Sequence, residues 1–531
     1  MSKGTLAMVL HAHLPFVKHP EYEDFLEEDW YFEAVAETYL PLLDMMEGLY
    51  DDHVPFSLNM DVSPTLAAMM EDPHHAARMT RYLDRSLDLA QRETRRLQAD
   101  DELGPVADFY LQRLGHLRHL YVERYGCDLL GAFRRMMERG GLELMTCGAT
   151  HGLLPALRRN PEAVRAQVRV AAADHERHFG RRPLGIWLPE CGYYEGVERF
   201  LADEGIRWFI VDSHCLRYAE PTPAHGVFAP VFTPSGVAAF GRDGESSKQV
   251  WSSKEGYPGD AYYREFYRDQ GYDLPFDLVR DFVQPTGYRK PTGLKYYRIT
   301  GDVKLDQKAP YIPGAARDRA AEHAGNFMFN RERQIENLAD SLGRAPIVVA
   351  PYDAELFGHW WYEGPDFLGF LFRKAAYDQD VFRFTRLSDY LRDNPTQQVA
   401  RPATGSWGDK GYFEVWINEA NDYVYRHLFH LADDMTRLCD EYPEAEGVRR
   451  RALNQCAREL LLAQASDWPF IITTDTMVDY AHRRVREHVL RFTRLADQVR
   501  RDVVDESWLG TLEFRDSVFP GIDYRVYRGH P

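Results

Sequence analysis

Residues 184–194 read Leu184-Gly185-Ile186-Trp187-Leu188-Pro189-Glu190-Cys191-Gly192-Tyr193-Tyr194. The apolar run 184–188 suits a buried strand, and Gly192 with the pattern at 195–203 suits a turn into a helix. Glu190 then stands at the C-terminal edge of a sheet, where α/β enzymes keep their chemistry. A single Glu beside aromatic residues is more often a solvated or ion-paired side chain, so the reading depends on how the other strands end.

They end alike. Residues 5–10 (TLAMVL) run into His11-Ala12-His13-Leu14-Pro15-Phe16, and 56–60 is closed by Asp61. Residues 142–146 (LELMT) precede Gly148-Ala149-Thr150-His151-Gly152, and 207–211 (RWFIV) ends in Asp212-Ser213-His214. Residues 346–350 (PIVVA) lead into Pro351-Tyr352-Asp353-Ala354-Glu355, and a seventh strand is expected at 381–385. Helical patterns separate them, including 160–180, opened by Asn160-Pro161 and closed by Gly180. Seven short strands spaced by helices or insertions imply an α/β fold, an incomplete TIM-like (β/α)7 barrel with parallel strands. Random placement would scatter ionisable residues over both ends of such a barrel; here they gather at one.

Residues 62–141 carry charged amphipathic stretches without strand signal and read as a helical insertion. Residues 216–298, rich in Pro, Gly and Tyr, are too long for an ordinary connection and read as a loop-rich cover. Both belong to a catalytic unit of 1–400. The texture changes near Pro402, and 401–531 reads as a C-terminal helical domain whose Trp407, Trp416 and Asp467-Trp468-Pro469 face the cleft.

The 531 residues hold 64 basic and 82 acidic side chains, a net charge of −18 that disfavours nucleic acid and anionic membrane surfaces and suits a neutral or cationic ligand. No apolar run reaches 18 residues and no cleavable leader is evident. Cys127, Cys147, Cys191, Cys215, Cys439 and Cys456 form no CxxC pair, so neither a disulfide framework nor a zinc knuckle is suggested, and a reducing cytoplasm fits. Aromatic residues make up 13%. Core packing accounts for most of them, and stacking on sugar faces is the functional use of the rest.

Two carboxyls at barrel strand ends, Glu190 and Asp353, with imidazoles and indoles around them, are the equipment for breaking a glycosidic bond. No Arg or Lys lies within either motif to pair with them. The main rival is a zinc site, because His11, His13, His151 and Asp353 could ligate a metal.

These motifs resemble glycoside hydrolase family 57. The stretches beginning at His11, Gly148, Trp187 and Pro351 look like four of its sequence regions in order, and Ser466-Asp467-Trp468-Pro469-Phe470 looks like the fifth. Within the family, the WLPEC and SDWPF wording is most similar to the 1,4-α-glucan branching enzymes. The resemblance implies Glu190 as nucleophile, Asp353 as general acid/base, and glucan contacts at His11, His13, His151, Trp360, Trp407, Trp416 and Asp467. Asp212 and His214, at the end of the fifth strand, join the expected substrate-binding set. It also implies no metal or other cofactor, and an α-glucan as donor and acceptor. The expected reaction cuts an α-1,4 bond and passes the segment to a glucan 6-hydroxyl, with a monomer as the working unit. A family 57 α-amylase or 4-α-glucanotransferase, and more distantly a metal-dependent hydrolase or deacetylase, are the alternatives.

Overall fold

The computed structural model describes residues 2–252, 255–283 and 287–529; residues 253–254 and 284–286 of the expected cover lie outside them. Ten strands occur in it: β1 (Gly4–Ala12), β2 (Leu58–Val62), β3 (Leu142–Met145), β4 (Gly185–Ile186), β5 (Trp208–Val211), β6 (Val231–Phe232), β7 (Ala238–Gly241), β8 (Ile347–Asp353), β9 (Phe382–Phe384) and β10 (Gln398–Val399). β1 is buried along its whole length, as an apolar run covered on both faces must be. It pairs in parallel with β2 and β8, and β2 pairs with β3. A parallel bridge from Thr146 to Ile186 joins β3 to β4, β4 and β5 pair in parallel, and β5 pairs with β7. Asp243 N donates to Val349 O (2.8 Å), bringing the end of β7 beside β8. The ring order is therefore β1-β2-β3-β4-β5-β7-β8. Its interior is filled by Ala7, Val9, Met145, Trp208, Ile210, Ala238, Phe240, Ile347 and Val349, which alternate along their strands as inward positions do.

The seven-membered ring stands, with one member exchanged. Residues 382–384 form β9, which pairs with the first residues of β1, Gly4–Leu6, at the base of the barrel. The ring position belongs to β7, inside the stretch expected as cover. Four residues, Ala-Ala-Phe-Gly, carry too little β-branched or alternating signal to stand out from the turns around them. Near 216–298 the chain also forms a helix at Gly244–Trp251 and pairs β6 antiparallel with β7.

The insertion expected at 62–141 begins on the last residue of β2 and is helical from Pro64, its longest helix being Pro73–Arg96. The helix Pro161–Phe179 starts on proline and ends at Gly180 with φ 72°, a left-handed position that favours glycine. Asn160 precedes it without capping it; its side chain donates to Asp433 Oδ1 (2.5 Å) on the C-terminal helix Tyr423–Glu441. Four further helices follow, Gly447–Ala463, Asp467–Thr474, Val478–Arg500 and Glu506–Arg515. One apolar core runs from the outer faces of β1 and β2 through the insertion into these helices, so they bury their apolar faces against a common interior. Among the described residues no helix is long and apolar enough to cross a membrane.

Candidate active site

Strand register sets the first three residues. His11 is aligned with Asp61 on one side and with Asp353 on the other, all at the C-terminal end of the barrel. Above them opens a cavity of about 620 Å³, lined by His11, His13, His151, Glu190, Asp353, Trp360, Trp407, Trp416 and Asp467 among others.

Glu190 sits in a short 3-10 turn, Pro189–Cys191, with φ 61° and ψ 24°; Cys191 follows at φ 49°. Two consecutive left-handed side-chain-bearing residues are strained, and such strain persists where the surroundings over-determine the geometry. Here Trp407 Nε1 donates to Glu190 Oε2 (2.9 Å) and Ser466 Oγ donates to Oε1 (3.0 Å). Burial lifts the Glu190 carboxyl to about 7, while these two donors and His13 pull it back and Asp467 adds to the rise. Asp353 differs. Among the described residues no hydrogen-bond partner reaches its carboxyl, and burial, then the charges of Glu355 and Glu190, hold it well above the usual carboxylate range. The two environments push the pair apart: Glu190 ionises first and Asp353 keeps its proton.

The histidines form a stacked layer. His13 and His151 lie with ring centroids 3.8 Å apart, and His11 stacks on Trp187 at 4.8 Å. His11 Nδ1 contacts Asp61 Oδ1 (2.9 Å), the Nε2 atoms of His11 and His151 are 3.0 Å apart, and His151 Nδ1 is 2.7 Å from Ser466 Oγ. His13 bridges Ser63 Oγ (2.9 Å) and Asp467 (3.1 Å). Burial drops His11 to about 3 and depresses His151 as well; in His13 burial is outweighed, chiefly by Asp467, and the imidazole is raised. The sets His11–Cys147–His151 and His13–His151–Asp467 each bring three donor atoms within 4.8 Å. Every ring nitrogen in them already has a hydrogen-bond partner, so a cation would have to displace those bonds.

Two expected residues stand outside the cavity lining. Asp212 accepts from Arg242 Nη1 (3.2 Å), and His214 Nδ1 contacts Asp212 Oδ1 (3.1 Å) while its ring packs on Gly405 and Gly411. The strand-end position was right for Asp212, but its partner is Arg242, a cavity residue whose guanidinium lies 5.7 Å from the Trp407 ring. Glu355 also lines the cavity, receiving Tyr39 OH and His13 N (3.2 Å). Its place two residues beyond Asp353 was a usable signal. Glu33, Trp30, Trp251 and Phe470 add to the wall from helices whose sequence carries no strand-end mark. Trp416 is 2% exposed with no partner for its indole N–H among the described residues, whereas Trp360 is 45% exposed.

A parallel barrel that brings a hydrogen-bonded carboxylate and a proton-holding carboxyl into one aromatic-lined cavity has the build of a glycosidase-type enzyme. The chain belongs to glycosyl hydrolase family 57, whose model matches residues 7–277, and residues 427–527 match the model of the 1,4-alpha-glucan branching enzyme C-terminal region. It is 34% identical to a 1,4-alpha-glucan branching enzyme of Thermococcus kodakarensis, covering 97% of this chain and 77% of that one. Among solved structures it is similar to the alpha-amylase AmyC of Thermotoga maritima, with a TM-score of 0.93, 41% identity and 99% of each chain covered. The family 57 branching enzyme of Pyrococcus horikoshii superposes with a TM-score of 0.89 at 32% identity, covering 100% of this chain and 97% of that one.

Proposed function

We propose that this chain is a 1,4-α-glucan branching enzyme acting by retention. The observation that carries the reading is the unlike surroundings of two of its cavity carboxyls: Glu190 is held by Trp407 and Ser466, while Asp353 is proton-holding and without a hydrogen-bond partner among the described residues. Glu190 attacks the anomeric carbon as Asp353 gives its proton to the departing 4-oxygen. In the second half Asp353 takes the proton of an acceptor 6-hydroxyl, which displaces Glu190 and restores the configuration. Transfer prevails over hydrolysis when a sugar hydroxyl is held where water would otherwise react. His11, His13, His151, Trp360, Trp407, Trp416 and Asp467 bind the glucan in this reading, and Asp212 acts through Arg242.

We take residues 1–400 as the catalytic unit and 401–531 as the part that completes the cleft, since Trp407, Trp416 and Asp467 reach the same cavity as Glu190. The chain works as a monomer in a reducing cytoplasm, in keeping with its free cysteines. Incubation with amylose tests the reading: new α-1,6 linkages are expected in excess of new reducing ends. The similarity to the alpha-amylase of Thermotoga maritima favours a second reading, hydrolysis at the same two carboxyls. Abundant reducing ends without branch points would establish it and overturn the first.

A further inference from the structure

Five groups stand in line behind the proposed nucleophile. Asp61, His11, His151, Ser466 and Glu190 are joined by consecutive polar contacts of 2.9, 3.0, 2.7 and 3.0 Å. Asp61 and His11 come from adjacent barrel strands, His151 follows β3 at φ 58°, and Ser466 precedes the C-terminal helix Asp467–Thr474. Ser466 N also donates to His151 O (3.1 Å), which fixes the junction. Asp61, His11, His151 and Ser466 are all buried, so water is not a ready substitute for any link.

The supply of protons then dictates direction. An ionised Glu190 only accepts, so the single hydroxyl proton of Ser466 is spent on Glu190 Oε1. His151 Nδ1 must therefore carry a hydrogen and donate to Ser466. As a neutral imidazole, His151 then offers a bare Nε2, which accepts from Nε2–H of His11. His11 is left with a bare Nδ1, and the group facing it, Asp61, has to be the donor. We infer that Asp61 is a positioning residue held as a carboxylic acid, the far end of a one-way hydrogen-bond chain that points every donor at Glu190 and keeps it ionised. The charge states of the links agree with this: burial raises Asp61 well above the carboxylate range and keeps both histidines neutral. Glu190 is also faced by Trp407, His13, Asp467 and Asp353, which set its ionisation jointly with the chain.

The inference rests on the proposed role of Glu190, and its test has one arm free of activity. In 15N spectra of the imidazoles, His11 should carry its hydrogen on Nε2 and His151 on Nδ1. A hydrogen on His11 Nδ1 would overturn the direction whether or not the protein branches glucan. In kinetics, Asp61→Leu should move the acid limb of kcat/KM upward by roughly half a pH unit or more. Asp61→Asn, whose amide can still donate to His11, should restore the parent profile. Ser466→Ala reads the same chain at its other end, should Asp61→Leu fail to fold, and is expected to shift the limb in the same sense. Loss of rate with an unmoved limb in these variants would make Asp61 merely structural. A parent without turnover on any α-glucan would overturn the proposed function and leave the spectra to decide the chain.

Discussion

Trp407 grips Glu190 twice: the indole N–H donates to Oε2 (2.9 Å), and the backbone amide donates to the Glu190 carbonyl oxygen (3.0 Å). The second bond holds the strained turn and the first reaches the charge. Trp407→Phe removes only the first. Because that bond lowers the Glu190 pKa from the side of its ionised form, its loss raises the pKa, and the acid limb of kcat/KM should move from near pH 7 to higher pH by about one unit. A limb that stays in place would separate Trp407 from the ionisation of Glu190.

Among the described residues Asp353 makes no side-chain hydrogen bond that Asn would break, so Asp353→Asn tests chemistry with little structural disturbance. Turnover on amylose should fall by about 10²- to 10⁴-fold, with glucan binding retained. Glu190→Gln should cost at least as much, because the covalent step disappears with the charge. Equal losses in binding and turnover would point to a collapsed cavity in place of a lost acid.

The histidine and carboxylate sets near His151 have spacing suited to a cation, yet their nitrogens are engaged with one another, with Ser63, Ser466, Asp61 and Asp467. Treatment with a strong chelator should leave the branching rate unchanged. Inactivation reversed by zinc would assign the layer to a metal and remove the hydrogen-bond account of it.

Glu33 lines the cavity from the helix Asp29–Ala34 without a hydrogen-bond partner among the described residues. Burial, with Glu37 and Asp29 adding and His359 and Lys295 opposing, raises its carboxyl to about 7. A raised carboxyl contributes stability below its unfolded pKa and loses it as pH climbs through the folded value. Glu33→Gln is freed from that loss, so the Tm difference between variant and parent should grow in favour of the variant from pH 5 to pH 8. A constant difference, measured by calorimetry, would show that Glu33 does not titrate in this window.

The barrel was legible wherever an apolar run met a polar strand end, as at Leu10–His11, Met60–Asp61 and Trp187–Glu190, because a strand buried on both faces must be apolar until it surfaces. β7 escaped because Ala238, facing the barrel interior, and Ala239, facing the opposite side, are both small side chains, which leave no hydrophobic peak. Glu190 and Asp353 carried the same strand-end mark. What it could not convey was the side-chain direction: Asp212 and Asp353 both stand at strand ends, but Asp212 turns to Arg242 while Asp353 has no hydrogen-bond partner among the described residues. Glu33, Trp251 and Phe470 approach from elements whose order in sequence says nothing about the barrel mouth. Ser466 was quoted only as the neighbour of Asp467, although it touches both His151 and Glu190.

The junctions Gly152 to Ala465 and Tyr193 to Gly405 are short backbone bridges, and each lies within three residues of a group that serves Glu190. For protein engineering this draws the boundary of the exchangeable unit. A barrel transplanted onto the 401–531 part of a relative would meet a foreign serine and a foreign indole at its own nucleophile, so recombination among homologues should keep His11 through Asp467 together as one inheritance.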